Sequence, residues 1–234
     1  MNRAPAIGHD PRPMKLPFLC ATALLVACST PPLTRRVDSL LLSRAPGVVT
    51  SPVETTRVVA LNARGARSLA ARRVRERAAT VELARRELAV AVDHVDEARV
   101  AAAEAARRGT PADAAAARAG YEELLAIAEI SRLRVALAKR AQETAALREF
   151  VAEEESALAQ ARLELAAGRA VERLDLGPAA AIALADLRGE ERFALREVEH
   201  AKLLLSAARV AEERARGALD GALEGSASSN AGGR

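Results

Sequence analysis

Apolar residues recur at alternating steps of three and four along most of this chain, which is the spacing of one face of an α-helix. The pattern predicts three long helices, over residues 55–108, 112–167 and 179–220. A repeat of 3.5 residues makes helices pack along one seam and wind around each other with a left-handed twist. The seam positions are Val81, Ala84, Leu88, Ala91, Val95, Ala98 and Ala102 in the first helix, Ile130, Leu137, Thr144, Val151, Leu158 and Leu165 in the second, and Leu184, Leu187, Ala194, Val198, Ala201, Leu205 and Ala208 in the third.

A single helix cannot bury its own apolar stripe, so the three helices must pack within the chain or with other chains. We therefore expect an all-α fold, an elongated antiparallel coiled-coil bundle of three long helices with disordered termini. The oligomeric state stays open, as does whether the first helix folds back on the other two or pairs with another chain.

Proline and glycine mark the breaks between these elements. The coiled-coil domain is predicted over residues 55–220, with breaks near 109–111 and 168–178, where a Gly stop meets a Pro that can open a helix. Residues 29–54 contain four prolines and are interpreted as a tether. The Gly-rich and Ser-rich segment 221–234 is predicted to be a disordered tail.

The amino-acid composition limits the kind of core that these helices can form. Half of the 234 residues are apolar, but only 2% are aromatic and Trp is absent. A core of bulky rings is therefore excluded, and the many Ala residues on the seams should let the helix axes approach closely.

The N-terminus has the features of a secretory signal. Lys15 precedes the short apolar run 16–27, which is too short to span a bilayer as a permanent helix. The run ends in Leu-Val-Ala-Cys28, which resembles the lipobox of bacterial lipoproteins. This resemblance implies a signal peptide over residues 1–28 and a diacylglyceryl and acyl lipid on Cys28. The alternative is an ordinary cleaved signal in which Cys28 is incidental.

Residues 1–13 do not fit such a signal, so we expect translation to start at Met14. Ser29 stands where the inner-membrane retention tag of lipoproteins has Asp, and the expected location is therefore the periplasmic face of the outer membrane. Removing residues 1–27 leaves 32 basic and 30 acidic residues, so the formal charge of +4 falls to +2. Cys20 leaves with the signal, and no thiol remains for a disulfide or a metal.

The second and third predicted helices resemble half of one repeat of the TolC-type outer-membrane efflux proteins. In that family a Tyr-x-x-Leu-Leu start is followed by a long helix, an Ala-Gly end, a Leu-Asp turn and a returning helix. The corresponding residues here are Tyr121, Leu124 and Leu125, then Ala167 and Gly168, then Leu174, Asp175 and Leu176, then Ala179 and Leu205.

The chain departs from that family in one large respect. Family members carry two repeats, each with barrel strands before the Tyr, whereas here only residues 107–112 fill that interval and no alternating membrane strand of ~10 residues occurs. The resemblance thus implies a single repeat without a barrel. Its hairpin tip, with Gly168, Leu174, Asp175 and Leu176, would meet a periplasmic adaptor protein. The alternative is a plain hairpin turn closed by Gly and Pro.

Enzymatic and metal chemistry are not expected. Glu197 and His200 have the Glu-x-x-His spacing of di-iron bundles, but such sites need a second pair, and Ala91 precedes His94 by three residues. We interpret Glu197 and His200 as a surface ion pair. No catalytic nucleophile or Gly-rich phosphate loop is recognisable, so no cofactor is expected beyond the lipid on Cys28, and no small-molecule substrate.

The basic residues also argue against nucleic acid as a partner, because Arg alternates with Glu and Asp and aromatic residues for base stacking are almost absent. The densest basic stretch, residues 64–77, has six Arg against Glu76. It is either a solvated helix face or a patch for acidic lipids or cell-wall polymers.

These observations lead to one functional prediction with one alternative. We expect a non-enzymatic, lipid-anchored periplasmic coiled-coil protein that is a TolC-like component or accessory of an envelope efflux or export system. Its partners would be the membrane, further copies of itself, or other helical envelope proteins such as an adaptor. The alternative is a structural envelope lipoprotein that acts as a spacer or contacts the cell wall.

Overall fold

The computed structural model describes residue 42, residues 46–174 and residues 184–231, with residues 228–231 described by their backbone alone. All the described residues belong to one compact unit. Within the described ranges the fold is all-α, with three helices and no strand: α1 (Gly47–Arg108), α2 (Pro111–Arg173) and α3 (Leu184–Ala231). The all-helical prediction is confirmed.

The connection between α1 and α2 consists of Gly109 and Thr110. Gly109 caps α1 through its N–H, which donates to the carbonyl of Ala105 at 2.8 Å. A Cβ at Gly109 would lie 2.7 Å from that carbonyl oxygen, so only glycine fits this close approach. Thr110 is the N-cap of α2, with Pro111 in its first turn. The two helices thus meet near residues 109–111, where the sequence analysis places a break.

The start of α1 is earlier than the sequence analysis places it. Residues 47–54, predicted as part of a tether, are helical, with Pro52 inside the helix. A proline there removes one backbone hydrogen bond. Packing outweighs that loss, because Val53 is only 2% exposed and contacts Ala167 and Ala170 of α2.

The end of α2 is later than expected. Ala167 and Gly168 were expected to end the helix, but α2 continues to Arg173 and buries both residues. Gly is tolerated inside a helix at a cost of about 1 kcal/mol, which close packing can offset. Residues 175–183, which include the predicted start of the third helix, lie outside the described residues.

The helix α3 also exceeds its predicted length. Residues 221–231, predicted as part of a disordered tail because of their Gly and Ser content, continue the helix. The burial pattern gives the reason, since the seam of α3 extends through Leu219, Ala222 and Ser226, which are all half-buried. The heptad spacing, and not the composition, therefore determines where α3 ends.

Extensive packing between the described helices is confined to α1 with α2 and α2 with α3. Along α1, Val53 meets Ala167 and Ala170, whereas Val81 and Ala84 meet Val135 and Ala138. Residues of rising number on α1 thus meet residues of falling number on α2.

The contacts of α3 with α2 follow the same order. Leu158 and Ala161 of α2 pack with Ala194 and Val198, and Val151 packs with Ala201 and Leu205. As a result α2 is buried on two sides and carries most of the core. The seam residues predicted in all three helices are buried or half-buried, and Ala201 is fully buried.

The remaining faces of the helices are charged. Several Arg and Glu side chains pair within one turn, as in Arg132 with Glu129 at 3.0 Å and Arg140 with Glu143 at 2.7 Å. Exposed pairs of this kind contribute only tenths of a kcal/mol each. Among the described residues, no helix combines the length and the apolar character required to cross a membrane.

Candidate functional site

The sequence predicts partner contacts at Gly168, Leu174, Asp175 and Leu176, and the structure describes two of these residues. Gly168 is buried inside α2. Leu174 is half-buried at the C-terminal cap of α2, where its N–H donates to the carbonyl of Val171 at 3.0 Å. Asp175 and Leu176 lie outside the described residues.

Packing against α1 surrounds this end of α2. Ala167 and Ala170 pack on Val53, and partly buried Leu42 and Val49 extend the same cluster. Gly168, which is buried among these residues of α2, presents little surface to a partner. The side chains that do reach solvent here are charged: Arg169, Glu172 and Arg173.

The predicted lipid attachment site cannot be placed. Cys28, together with the rest of the predicted signal peptide over residues 1–28, lies outside the described residues. The same holds for most of the predicted tether. The lipid anchor accordingly stays a prediction.

The histidines on the helices are placed at the surface. His94 lies 3.5 Å from Glu97 on the same helix, measured from Nδ1 to Oε2, and both side chains are exposed. His200 is exposed, and Glu197 is half-buried. In residues 46–174 and 184–231, no three His, Cys, Asp or Glu side chains come together as a group that could hold a metal ion.

One carboxylate lies in an unusual position between α2 and α3. Glu154 is half-buried, and its Oε2 atom is enclosed without a hydrogen-bond partner among the described residues. Burial raises the pKa of Glu154 above its ordinary value, and the negative charges of Glu197 and Glu153 raise it further. Glu197 thus faces a second carboxylate across the helix interface.

The basic stretch of α1 divides into two parts. Its first part is bound to α2, because Arg64 donates to Oε1 of Gln160 at 2.9 Å and Arg67 pairs with Glu153 at 2.6 Å. These contacts cross between the helices and fix their relative position. The first part of the stretch is therefore a solvated face of α1 whose Arg side chains contact α2.

The second part of the stretch lines an open groove between α1 and α2, here called the basic groove. Its volume is about 410 Å³. Its lining consists of Ala70, Arg73, Glu76, Arg77 and Thr80 from α1 and Ala145 and Arg148 from α2. Arg73, Arg77 and Arg148 have no ion-pair partner among the described residues. The basic groove thus combines three free guanidinium groups with one carboxylate.

The groove continues along α1 and α2 and becomes more apolar. Arg77 and Thr80 also line the next section, where Glu212 and Arg216 of α3 approach. Farther on, Val90 and Ile127 line a shallow section beside His94. The excess of Arg over Glu is accordingly largest in the basic groove.

Two of these features were not found from the sequence. Arg148 is one of many scattered Arg residues of α2, and nothing in its neighbours links it to residues 73–77. Glu154 lies in the run Glu153-Glu154-Glu155, which is typical of a solvated face. In both cases the missing information is the register between two helices.

Comparisons of the chain with family models, with curated proteins and with solved structures found no match. The resemblance to TolC-type proteins accordingly depends only on the residues given for it above.

Proposed function

We propose that this chain is a non-enzymatic, lipid-anchored coiled-coil protein of the bacterial envelope that binds other helical subunits. In this proposal it is a TolC-like component or accessory of an efflux or export system on the periplasmic face of the outer membrane. The observation that carries the proposal is the architecture of α1 and α2, whose 62 and 63 residues pack along a repeating apolar seam.

The finer arrangement proposed is an antiparallel coiled coil. The order of contacts supports it, because positions of rising number on α1 meet falling positions on α2, and α2 meets α3 in the same way. Short seam residues such as Ala84 and Ala138 are also those that allow close helix packing.

Exposed apolar side chains support the binding of further helices. Leu203 on α3 is 71% exposed, and Leu83 and Val90 on α1 are also mostly exposed. Single exposed apolar residues are common, but Leu83 and Val90 are seven residues apart and lie on one face of α1. Another copy of the chain or another coiled-coil protein would cover them.

In the export proposal the adaptor contacts the end of α2 and the residues that follow. Leu174, Asp175 and Leu176 are the proposed contact residues. Gly168 is buried in α2, so its proposed part is to let the helices pack closely below the tip.

The alternative is a structural spacer that connects envelope layers or contacts the cell wall. The helix lengths favour it, because 62 and 63 residues at 1.5 Å per residue give helices of about 90 Å. Such a role needs the length of the helices and does not need a specific tip.

Crosslinking in cells separates the two proposals. A photoreactive residue at position 174, with one at exposed Arg192 as the matched control, should capture an adaptor subunit only from position 174. Leu174→Glu should abolish co-purification of that subunit, whereas a spacer would tolerate the change and fail when whole heptads are deleted. Recovery of cell-wall material without any export component would contradict the export role.

The lipid anchor needs its own test. Cys28→Ala should move the protein from the membrane fraction to the soluble periplasmic fraction, because the acyl chains supply about 0.8 kcal/mol per buried methylene. Mass spectrometry of the wild-type N-terminal peptide should find the lipid on Cys28. Unchanged membrane retention of the variant would exclude lipid attachment at this residue as the anchor.

A further inference from the structure

We propose that the basic groove binds phosphate-type oxyanions, with Arg73 and Arg77 of α1 and Arg148 of α2 as the binding residues. The ligand class is a phosphate mono- or diester, either as the headgroup of an anionic lipid or as part of a soluble phosphate compound. This site goes beyond the proposed function, since it depends on neither the lipid anchor nor an export partner.

The first argument is the local charge. Three guanidinium groups face the basic groove with Glu76 as the only carboxylate on its lining, and none of the three has an ion-pair partner among the described residues. Two other cations of these helices are paired, Arg67 with Glu153 and Arg140 with Glu143. The three Arg side chains of the groove thus carry a positive charge that Glu76 alone does not balance.

The second argument is geometry. Arg73 and Arg77 are four residues apart, so their side chains leave the same face of α1. Arg148 approaches from the other helix, while the short side chains of Ala70 and Ala145 leave the space between them open. A tetrahedral oxyanion can therefore be contacted from two sides.

The third argument is the chemistry of the side chain. Guanidinium presents its N–H donors in a planar fork that matches phosphate oxygens in pairs. The positively charged side chains on the lining are all Arg, and none is Lys. The Thr80 hydroxyl already donates to the carbonyl of Glu76, so the donors that face the groove are the guanidinium groups. Oxyanions with several acceptor oxygens fit this set of donors.

Calorimetric titration of the full-length protein with inorganic pyrophosphate tests the site. Arg148→Gln and the double variant Arg73→Gln with Arg77→Gln should each weaken binding about tenfold, and Glu76→Gln should strengthen it. Binding should also weaken as salt is added, because the groups are exposed. All these positions are exposed, so circular dichroism should find the folds unchanged.

The matched control is Arg192→Gln with Arg196→Gln, an exposed pair at the same spacing on α3. It should leave pyrophosphate binding unchanged. An equal loss in this control, or full binding by Arg148→Gln, would overturn the proposal, since either result means that any basic helix face suffices.

Flotation with vesicles distinguishes the two sources of the ligand. The measured quantity is the difference between binding to phosphatidylglycerol vesicles and binding to phosphatidylcholine vesicles. An apolar segment contributes equally to both, so its contribution cancels. If the groove variants lose this difference and also lose pyrophosphate, the site accepts both sources. If they lose pyrophosphate but keep the vesicle difference, the ligand is a soluble phosphate compound. Retention of both kinds of binding by the groove variants excludes the site.

Discussion

Thr110 and Asp113 hold each other at the start of α2 by reciprocal hydrogen bonds. The N–H of Asp113 donates to Thr110 Oγ1 at 3.2 Å, and the carboxylate of Asp113 accepts from the N–H of Thr110 at 3.0 Å. This capping box satisfies two backbone donors that the first turn leaves free. Thr110→Ala should lower the free energy of unfolding in urea by about 1 kcal/mol. Thr55→Ala, at an exposed threonine in the interior of α1, should not.

The contact between Thr110 and Asp113 should also make the stability of the protein depend on pH. Hydrogen bonds from the Thr110 side chain and backbone lower the pKa of Asp113. The stabilisation is therefore fully present above the ordinary Asp pKa and is lost as pH falls through the lowered value. Asp113→Asn should destabilise the protein at neutral pH and have little effect in strong acid. A difference between the two proteins that persists unchanged into acid would contradict the role of the ionised carboxylate.

Gly109 and Gly65 should respond to alanine with opposite signs. A Cβ at Gly109 would meet the carbonyl oxygen of Ala105 at 2.7 Å, so Gly109→Ala should lower the thermal midpoint. Gly65 is inside α1 with no atom near its virtual Cβ, and Gly65→Ala should stabilise by about 0.5–1 kcal/mol. Thermal unfolding followed by circular dichroism measures both. Equal effects of the two substitutions would mean that the close contact at Gly109 does not exist.

Glu154 should reduce stability at neutral pH. The pKa of Glu154 is raised in the folded protein. Its contribution to stability is therefore fully present below the ordinary Glu pKa and is lost as pH rises through the raised value. Glu154→Gln should therefore increase the free energy of unfolding at neutral pH, because it removes the charge, with little change in acid. Glu199→Gln, at an exposed carboxylate of α3, is the control. A stabilisation that is the same at both pH values would point to a cause other than charge.

Val53 tests whether the first turns of α1 belong to the packed structure. Val53 is 2% exposed and contacts Ala167 and Ala170, so Val53→Ala should destabilise by about 2 kcal/mol. Val58, on the same helix, is 55% exposed, and Val58→Ala should cost less than about 0.5 kcal/mol. Urea unfolding distinguishes the two. Equal small effects would mean that residues 47–54 do not pack on α2.

The sequence predicts the fold well where local chemistry and heptad spacing agree. At Gly109 and Thr110, for example, a stop, an N-cap and a helix-opening Pro111 occur in succession. Errors occur where composition was given more weight than spacing. Composition predicts Pro52 in a tether and Gly168 in a break, yet both lie inside helices because their neighbours are buried against another helix.

The candidate site was harder to predict because it depends on pairs of helices. The Arg-rich stretch of α1 is visible in the sequence, but its free part becomes a groove only because Arg148 of α2 lies opposite. The raised pKa of Glu154 likewise depends on burial between the helices and on the position of Glu197 on α3. Contacts between side chains of different helices depend on the register of the helices, and no local sequence pattern specifies that register.

The placement of α2 between its two neighbours has a consequence for how the molecule comes apart. Each outer helix packs extensively on α2, and the described parts of α1 and α3 pack little on each other. Opening of α3 would leave the seam between α1 and α2 covered, and opening of α1 would leave α2 and α3 together. Amide exchange should therefore be slowest in the central part of α2, whose protection requires both neighbours to leave.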